Sequence, residues 1–124
     1  LPLSRGLGDV YKRQDYNANI KRFKNRDLEL LEDLLNAQRI NDTDKTEEIK
    51  LMRAANLKRQ YLFSINYAVN NKSSEIAPYI ALANLYDTKK SYLDTIYKGL
   101  TPEIASSKYG LILENFIKNL ESSE

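Results

Sequence analysis

Neither cysteine nor histidine occurs among the 124 residues. That removes the thiolate nucleophile, the disulfide, the thiolate metal site and the imidazole base in one step. The side chains left for chemistry are carboxylates, lysines and tyrosines. Two carboxylate pairs stand close in sequence, Glu29 with Asp33 and Glu47 with Glu48. Acid–base work of the glycosidase kind needs two carboxylates facing each other across a cleft, one of them in an apolar setting. Both pairs instead share their stretches with Lys and Arg, so they are expected on solvated faces. The inward Glu-x-x-His motif of di-iron bundles cannot be built without His. No glycine-rich phosphate loop and no G-x-S-x-G turn is present. No catalytic, cofactor-binding or metal-binding residue is therefore expected, and the chain is expected not to be an enzyme by itself.

Two further features invite a functional reading. Lys21, Arg22, Lys24 and Arg26 form a basic cluster, interrupted by Phe23 and followed by Asp27 and Glu29. Nucleic-acid binding needs a wider stripe and a net positive domain, so a solvated face and no nucleic-acid partner are expected. The nine tyrosines are the other feature, seven of them between Tyr61 and Tyr109. They could line a partner surface, where Tyr is favoured. The expectation here is edge packing on a thin helical core, with the hydroxyls in water.

The elements that hold these residues read as all-α. Three Pro and four Gly leave little turn chemistry for strands. From about Asn17 to Ile40, Ile20, Phe23, Leu30, Leu31, Leu34 and Ala37 recur at helical steps, with Asp27 the one polar break. Asn41-Asp42-Thr43-Asp44 is a turn, with Thr43 or Asp44 as the next cap. A second long helix from about Lys45 to Val69 is expected to bury Ala54, Leu57, Tyr61, Leu62, Ile65, Ala68 and Val69. The two make a long antiparallel helical hairpin. Neither stripe keeps a strict seven-residue repeat for three heptads, which argues against a free-standing coiled coil.

About three shorter helices should follow. Ser74 caps the first, and Asp87-Thr88 caps the second, whose end near Gly99 calls for a left-handed residue. The third starts at Thr101-Pro102-Glu103, with Thr as cap and Pro at the first helical position. It runs on through Tyr109, Leu113 and Leu120. Gly110 inside it costs about 1 kcal/mol relative to Ala, or marks close helix packing. No stretch approaches the roughly 20 apolar residues of a membrane span.

The first 14 residues stand apart. Ser4-Arg5-Gly6-Leu7-Gly8-Asp9-Val10-Tyr11-Lys12-Arg13-Gln14 resembles, residue for residue, a translated transposase adapter from sequencing libraries. Residues 1–14 are thus expected to be adapter-derived and unstructured, residues 15–121 to be a helical segment of a larger protein, and residues 122–124 a polar tail. Setting aside Arg5, Lys12, Arg13 and Asp9 leaves 16 basic and 16 acidic side chains out of 19 and 17. The basic isoelectric point then gives no case for an anionic partner.

Asn71-Lys72-Ser73-Ser74-Glu75-Ile76-Ala77-Pro78-Tyr79, followed by Leu100-Thr101-Pro102-Glu103 and Ser107-Lys108-Tyr109-Gly110, is similar to the helical region of TlpA/ResA-like thiol–disulfide oxidoreductases. In that family the region lies between an N-terminal β-rich domain of unknown function and a thioredoxin domain bearing a C-x-x-C pair. The resemblance covers roughly residues 17–121. It implies a periplasmic or exported parent and a non-catalytic connector that spaces, orients or dimerises the flanking domains. It carries over no active residue, because the cysteines have no counterpart here. The alternative is a helical protein–protein interaction module of tetratricopeptide-like type, although no second copy appears at a 34-residue period.

Overall fold

The computed structural model describes residues 2–123, and side chains from residue 6 to 123. Among the described residues the secondary structure is helical and holds no strand. The elements are α1 (Pro2–Arg39), α2 (Thr43–Asn70), α3 (Ile76–Asn84), α4 (Lys90–Gly99), α5 (Pro102–Ala105) and α6 (Lys108–Ser123). The expected all-α class, with a long hairpin ahead of shorter helices, is what the chain adopts. It divides into two compact units, Gln14–Gln60 and Leu1–Arg13 with Tyr61–Glu124.

The unit Gln14–Gln60 is the hairpin. Its turn is a Schellman motif. Asn41 N–H donates to the Gln38 carbonyl at 3.1 Å, and Asp42 N–H to the Ala37 carbonyl at 2.9 Å. Asn41 takes the left-handed conformation this needs, at φ 58°. The cap of α2 is Asp42, not Thr43 or Asp44. Its Oδ1 accepts the Lys45 N–H at 3.1 Å, and its carbonyl accepts Thr46 Oγ1 at 2.8 Å. Asp42 wins because the turn leaves it at the position whose side chain reaches the third helical N–H.

The α1 row holds its expected residues but is stricter than expected. Tyr16, Ile20, Phe23, Asp27, Leu30, Leu34 and Ala37 alternate steps of four and three over three heptads, and all are buried or half-buried. Leu30, Leu34, Ala37 and Ile49 make the apolar end of the seam, with Leu31 against them. The α2 row differs from the expectation. Its buried face in this unit runs through Thr46, Ile49, Arg53, Asn56 and Gln60, while Ala54 and Leu57 point outward. The polar residues turn inward because Asp27 and the Phe23 carbonyl offer them partners across the seam.

The second unit builds on α6, which packs against α3, α4 and α5. Ile80, Leu85, Leu93, Ile96 and Leu113 are its fully buried side chains of largest size. Ser74 stands one residue ahead of the cap position of α3, which Glu75 holds without a side-chain cap bond, and its Oγ accepts the Ile76 N–H at 3.2 Å. Thr88 does not cap α4. Its hydroxyl donates back to the Leu85 carbonyl at 2.6 Å, and Lys89 holds the cap position. Thr101 precedes Pro102 as expected, yet its side chain makes no cap bond. Its N–H donates instead to the Lys72 carbonyl at 3.2 Å, pinning the α4–α5 junction to the α2–α3 loop.

The expected third short helix is two helices, broken at Ser106-Ser107, so four short helices follow the hairpin rather than three. Gly110 explains the break. A Cβ there would sit 2.5 Å from the Ala105 carbonyl oxygen, so the end of α5 folds directly over the glycine. Ser107 then restarts the helix, its Oγ accepting the Gly110 N–H at 3.3 Å. Gly99 is not left-handed, since no glycine in the described residues has positive φ. Leu100 leaves α4 in an extended conformation at φ −63° and ψ 142°, which any residue can adopt.

The N-terminal lead is not unstructured over the described residues, because α1 begins at Pro2. Leu1, like Glu124 at the other end, lies outside the described residues. Gly6 and Gly8 oppose a helix by about 1 kcal/mol each. Packing within the unit offsets this. Tyr67 donates to the Lys12 carbonyl at 3.0 Å, Ser74 to Asp9 Oδ1 at 2.6 Å, and Arg13 lies 3.8 Å over the Tyr79 ring. At the C-terminal end, α6 continues through Ser122 and Ser123, where a polar tail is expected.

Candidate functional site

The carboxylate pairs lie where solvated faces place them. Glu29 meets Arg26 at 3.2 Å and Glu47 meets Lys50 at 3.3 Å, both one helical turn apart and both exposed. Asp33 and Glu48 are exposed as well. The structure brings neither pair into a cleft. The basic cluster of α1 is likewise exposed at Lys21, Arg22, Lys24 and Arg26.

Tyr86 is exposed as expected, but other tyrosines depart from the expectation of hydroxyls in water. Tyr16 is fully buried. Tyr97 donates to Glu114 Oε2 at 2.5 Å, joining α4 to α6, and Tyr61 donates to Asp87 Oδ2 at 3.4 Å. The Glu114 hydrogen bond pushes the Tyr97 hydroxyl above its usual range, with burial adding to it. Burial is the main cause of the upward shift at Tyr61, and the Asp87 charge reinforces it. Glu114 is held below the usual carboxylate range, first by Lys118 at 2.8 Å and then by Tyr97. These shifts stabilise the phenol as a donor and the carboxylate as an acceptor. That is the opposite of preparing a tyrosinate base.

A small cavity of about 130 Å³ lies beside Arg13, Ile76, Tyr79 and Tyr109. The two rings meet edge to face at 5.9 Å. Arg13 already covers the Tyr79 face, so the cation site that ring offers is filled from within the chain.

The seam of the hairpin is the most specific polar arrangement. Arg53 donates from Nε to Asp27 Oδ1 at 2.9 Å and from Nη2 to Oδ2 at 3.2 Å. The carboxylate hydrogen bond raises the Arg53 pKa further, so the guanidinium stays charged. One turn along α2, Asn56 Nδ2 donates to the Phe23 carbonyl at 3.0 Å. Beside this seam an open groove of about 530 Å³ exposes Lys24, Leu28, Ala54 and Leu57. Apolarity alone hides these features in the sequence. The signal that finds them is the heptad spacing, which places Asp27 and Arg53 in the row itself. Such polar contacts fix register rather than perform a reaction.

No protein-family model, curated protein or solved structure matches the chain. Among the described residues, no group of three or more acidic side chains is placed to hold a metal ion. Within the same residues, no helix is long and apolar enough to cross a membrane.

Proposed function

We propose that this chain is a non-catalytic helical connector of a periplasmic thiol–disulfide oxidoreductase of thioredoxin-like type, spacing or orienting the domains on either side of it. The observation that carries the reading is the hairpin seam. Its ionisable groups, Asp27 and Arg53, are spent on each other across the two helices. The limb of α1 within the hairpin, 26 residues from Gln14 to Arg39, extends about 40 Å at 1.5 Å per residue. A tied antiparallel pair of that length suits a spacer. The thiol chemistry of the parent belongs to a cysteine pair outside these residues, as the resemblance at residues 71–79 and 100–110 implies. The helices after the hairpin, of 9, 10, 4 and 16 residues, do not repeat its pair. The connector is therefore preferred over a tetratricopeptide-like module.

Replacing residues 17–69 of the parent protein by a flexible Gly/Ser linker tests this. The swapped protein should reduce insulin at the unaltered rate in vitro and lose its oxidoreductase phenotype in the cell. A loss of insulin reduction would place part of the reaction in these helices and refute the reading.

A further inference from the structure

The hairpin carries two features, an apolar groove on one face, edged by Lys24, and a charge gradient along its length; Arg26, Glu48 and Arg59 line the opposite groove. The first is apolar. Leu28, 62% exposed, and Leu57, 46% exposed, line one groove with Ala54, and Leu35, one heptad on from Leu28, is 57% exposed. Leu28 and Leu35 are seven residues apart, and Ala54 and Leu57 three, so each pair lies along one side of its helix. The second is electrostatic. Along α1 the basic residues Lys21, Arg22, Lys24 and Arg26 lie away from the turn, and Glu29, Glu32 and Asp33 lie toward it. Along α2 the order is matched, with Glu47 and Glu48 toward the turn and Arg53, Lys58 and Arg59 away from it. Asp15, Asp27, Arg39, Lys45 and Lys50 are the exceptions. The hairpin thus has one mainly acidic and one mainly basic end.

We propose that this face is the docking surface for a second copy of the chain, the two hairpins lying antiparallel as a four-helix bundle. A two-fold axis through Leu28 satisfies both features at once. It sets Leu28 against Leu28 of the second copy, and Lys24 against Glu32 of the second copy. On α2, the level facing Leu28 is near Met52, as the Asp27–Arg53 pairing fixes. The same axis therefore brings Lys58 against Glu47 of the second copy. A parallel arrangement would oppose like charges at both ends, which is destabilising. An isologous patch repeats each ion pair, so every favourable contact counts twice. The inference stands apart from the redox reading and holds whatever the flanking domains do.

Sedimentation of the 124-residue chain at low ionic strength tests it. The expected result is a species of twice 14.3 kDa that weakens with added salt. L28K should give the monomer with the helical circular dichroism intact, since that side chain is already mostly in water. I40K, at the hairpin turn on a residue outside this groove and 68% exposed, should leave the dimer in place. K24E should weaken association about tenfold, as repulsion replaces two exposed pairs. K24E/E32K should restore it. A wild-type monomer at all concentrations, a dimer indifferent to L28K, or a double variant no tighter than K24E would each overturn the proposal.

Discussion

Arg53 grips Asp27 with two parallel hydrogen bonds, 2.9 and 3.2 Å long, across 26 residues of sequence. Both side chains are about one-third exposed, at 33% and 40%. The pair is therefore screened on one side, and its main effect is to fix how α1 and α2 align. Asp27→Ala should destabilise the hairpin by about 1 kcal/mol, the upper end for a partly exposed pair. Replacing both by Leu should recover that loss, because an apolar seam needs no charge pairing. Urea denaturation of the two variants decides it. A double variant weaker than the single would show that the pair does more than hold register.

Gly110 and Gly99 should respond in opposite directions to alanine. At Gly110 the added methyl meets the backbone of Ile104 and Ala105, so Gly110→Ala should lower stability by roughly 1–3 kcal/mol despite the better helix propensity. At Gly99 nothing lies within 4 Å and φ is not positive. Gly99→Ala should be neutral or raise stability by up to about 1 kcal/mol. Thermal unfolding followed at 222 nm separates the two.

How much of this could be seen beforehand depends on what each signal measures. The turn at Asn41-Asp42 and the helix start at Pro102 are legible because turn and first-turn residues act locally, through their own backbone. Which side chain caps is not, since Asp42 replaces Thr43 or Asp44 and Thr101 makes no cap bond. The α1 row is legible because its apolar residues face the seam. The α2 row is not, since Leu57 and Leu62 outrank Arg53 and Asn56 on any hydrophobic count. Only the partner residues on α1 reverse that order. The break at Ser106 depends on how closely α5 approaches Gly110, a distance set by tertiary packing and invisible to local propensity.

Asn41 sits in the left-handed region, which opposes side chains branched at Cβ. Asn41→Gly should be neutral or mildly stabilising. Asn41→Val should destabilise by about 1–2 kcal/mol, the scale of the left-handed penalty. Equal effects of the two in a denaturation series would mean that the turn adopts another conformation.

The α4–α6 clip should make stability depend on pH at both extremes. Glu114 is shifted down on folding, so its contribution is present above the ordinary carboxylate pKa of about 4.3 and is lost as pH falls through the folded value. Tyr97 and Lys118 are shifted up, so theirs is present at neutral pH and lost as pH rises through their folded values. The melting temperature of the chain should be flat near neutrality and fall at both ends. Glu114→Gln should shrink both losses. An acid limb unchanged by that substitution would place it on other carboxylates.

The gene itself offers the most direct test of the connector reading. Sequencing the source DNA past the codon for Glu124 should reveal a thioredoxin-type domain, on the order of 100 residues, with a Cys-x-x-Cys pair. An open reading frame that stops at once, or continues into a domain lacking that pair, would contradict the account.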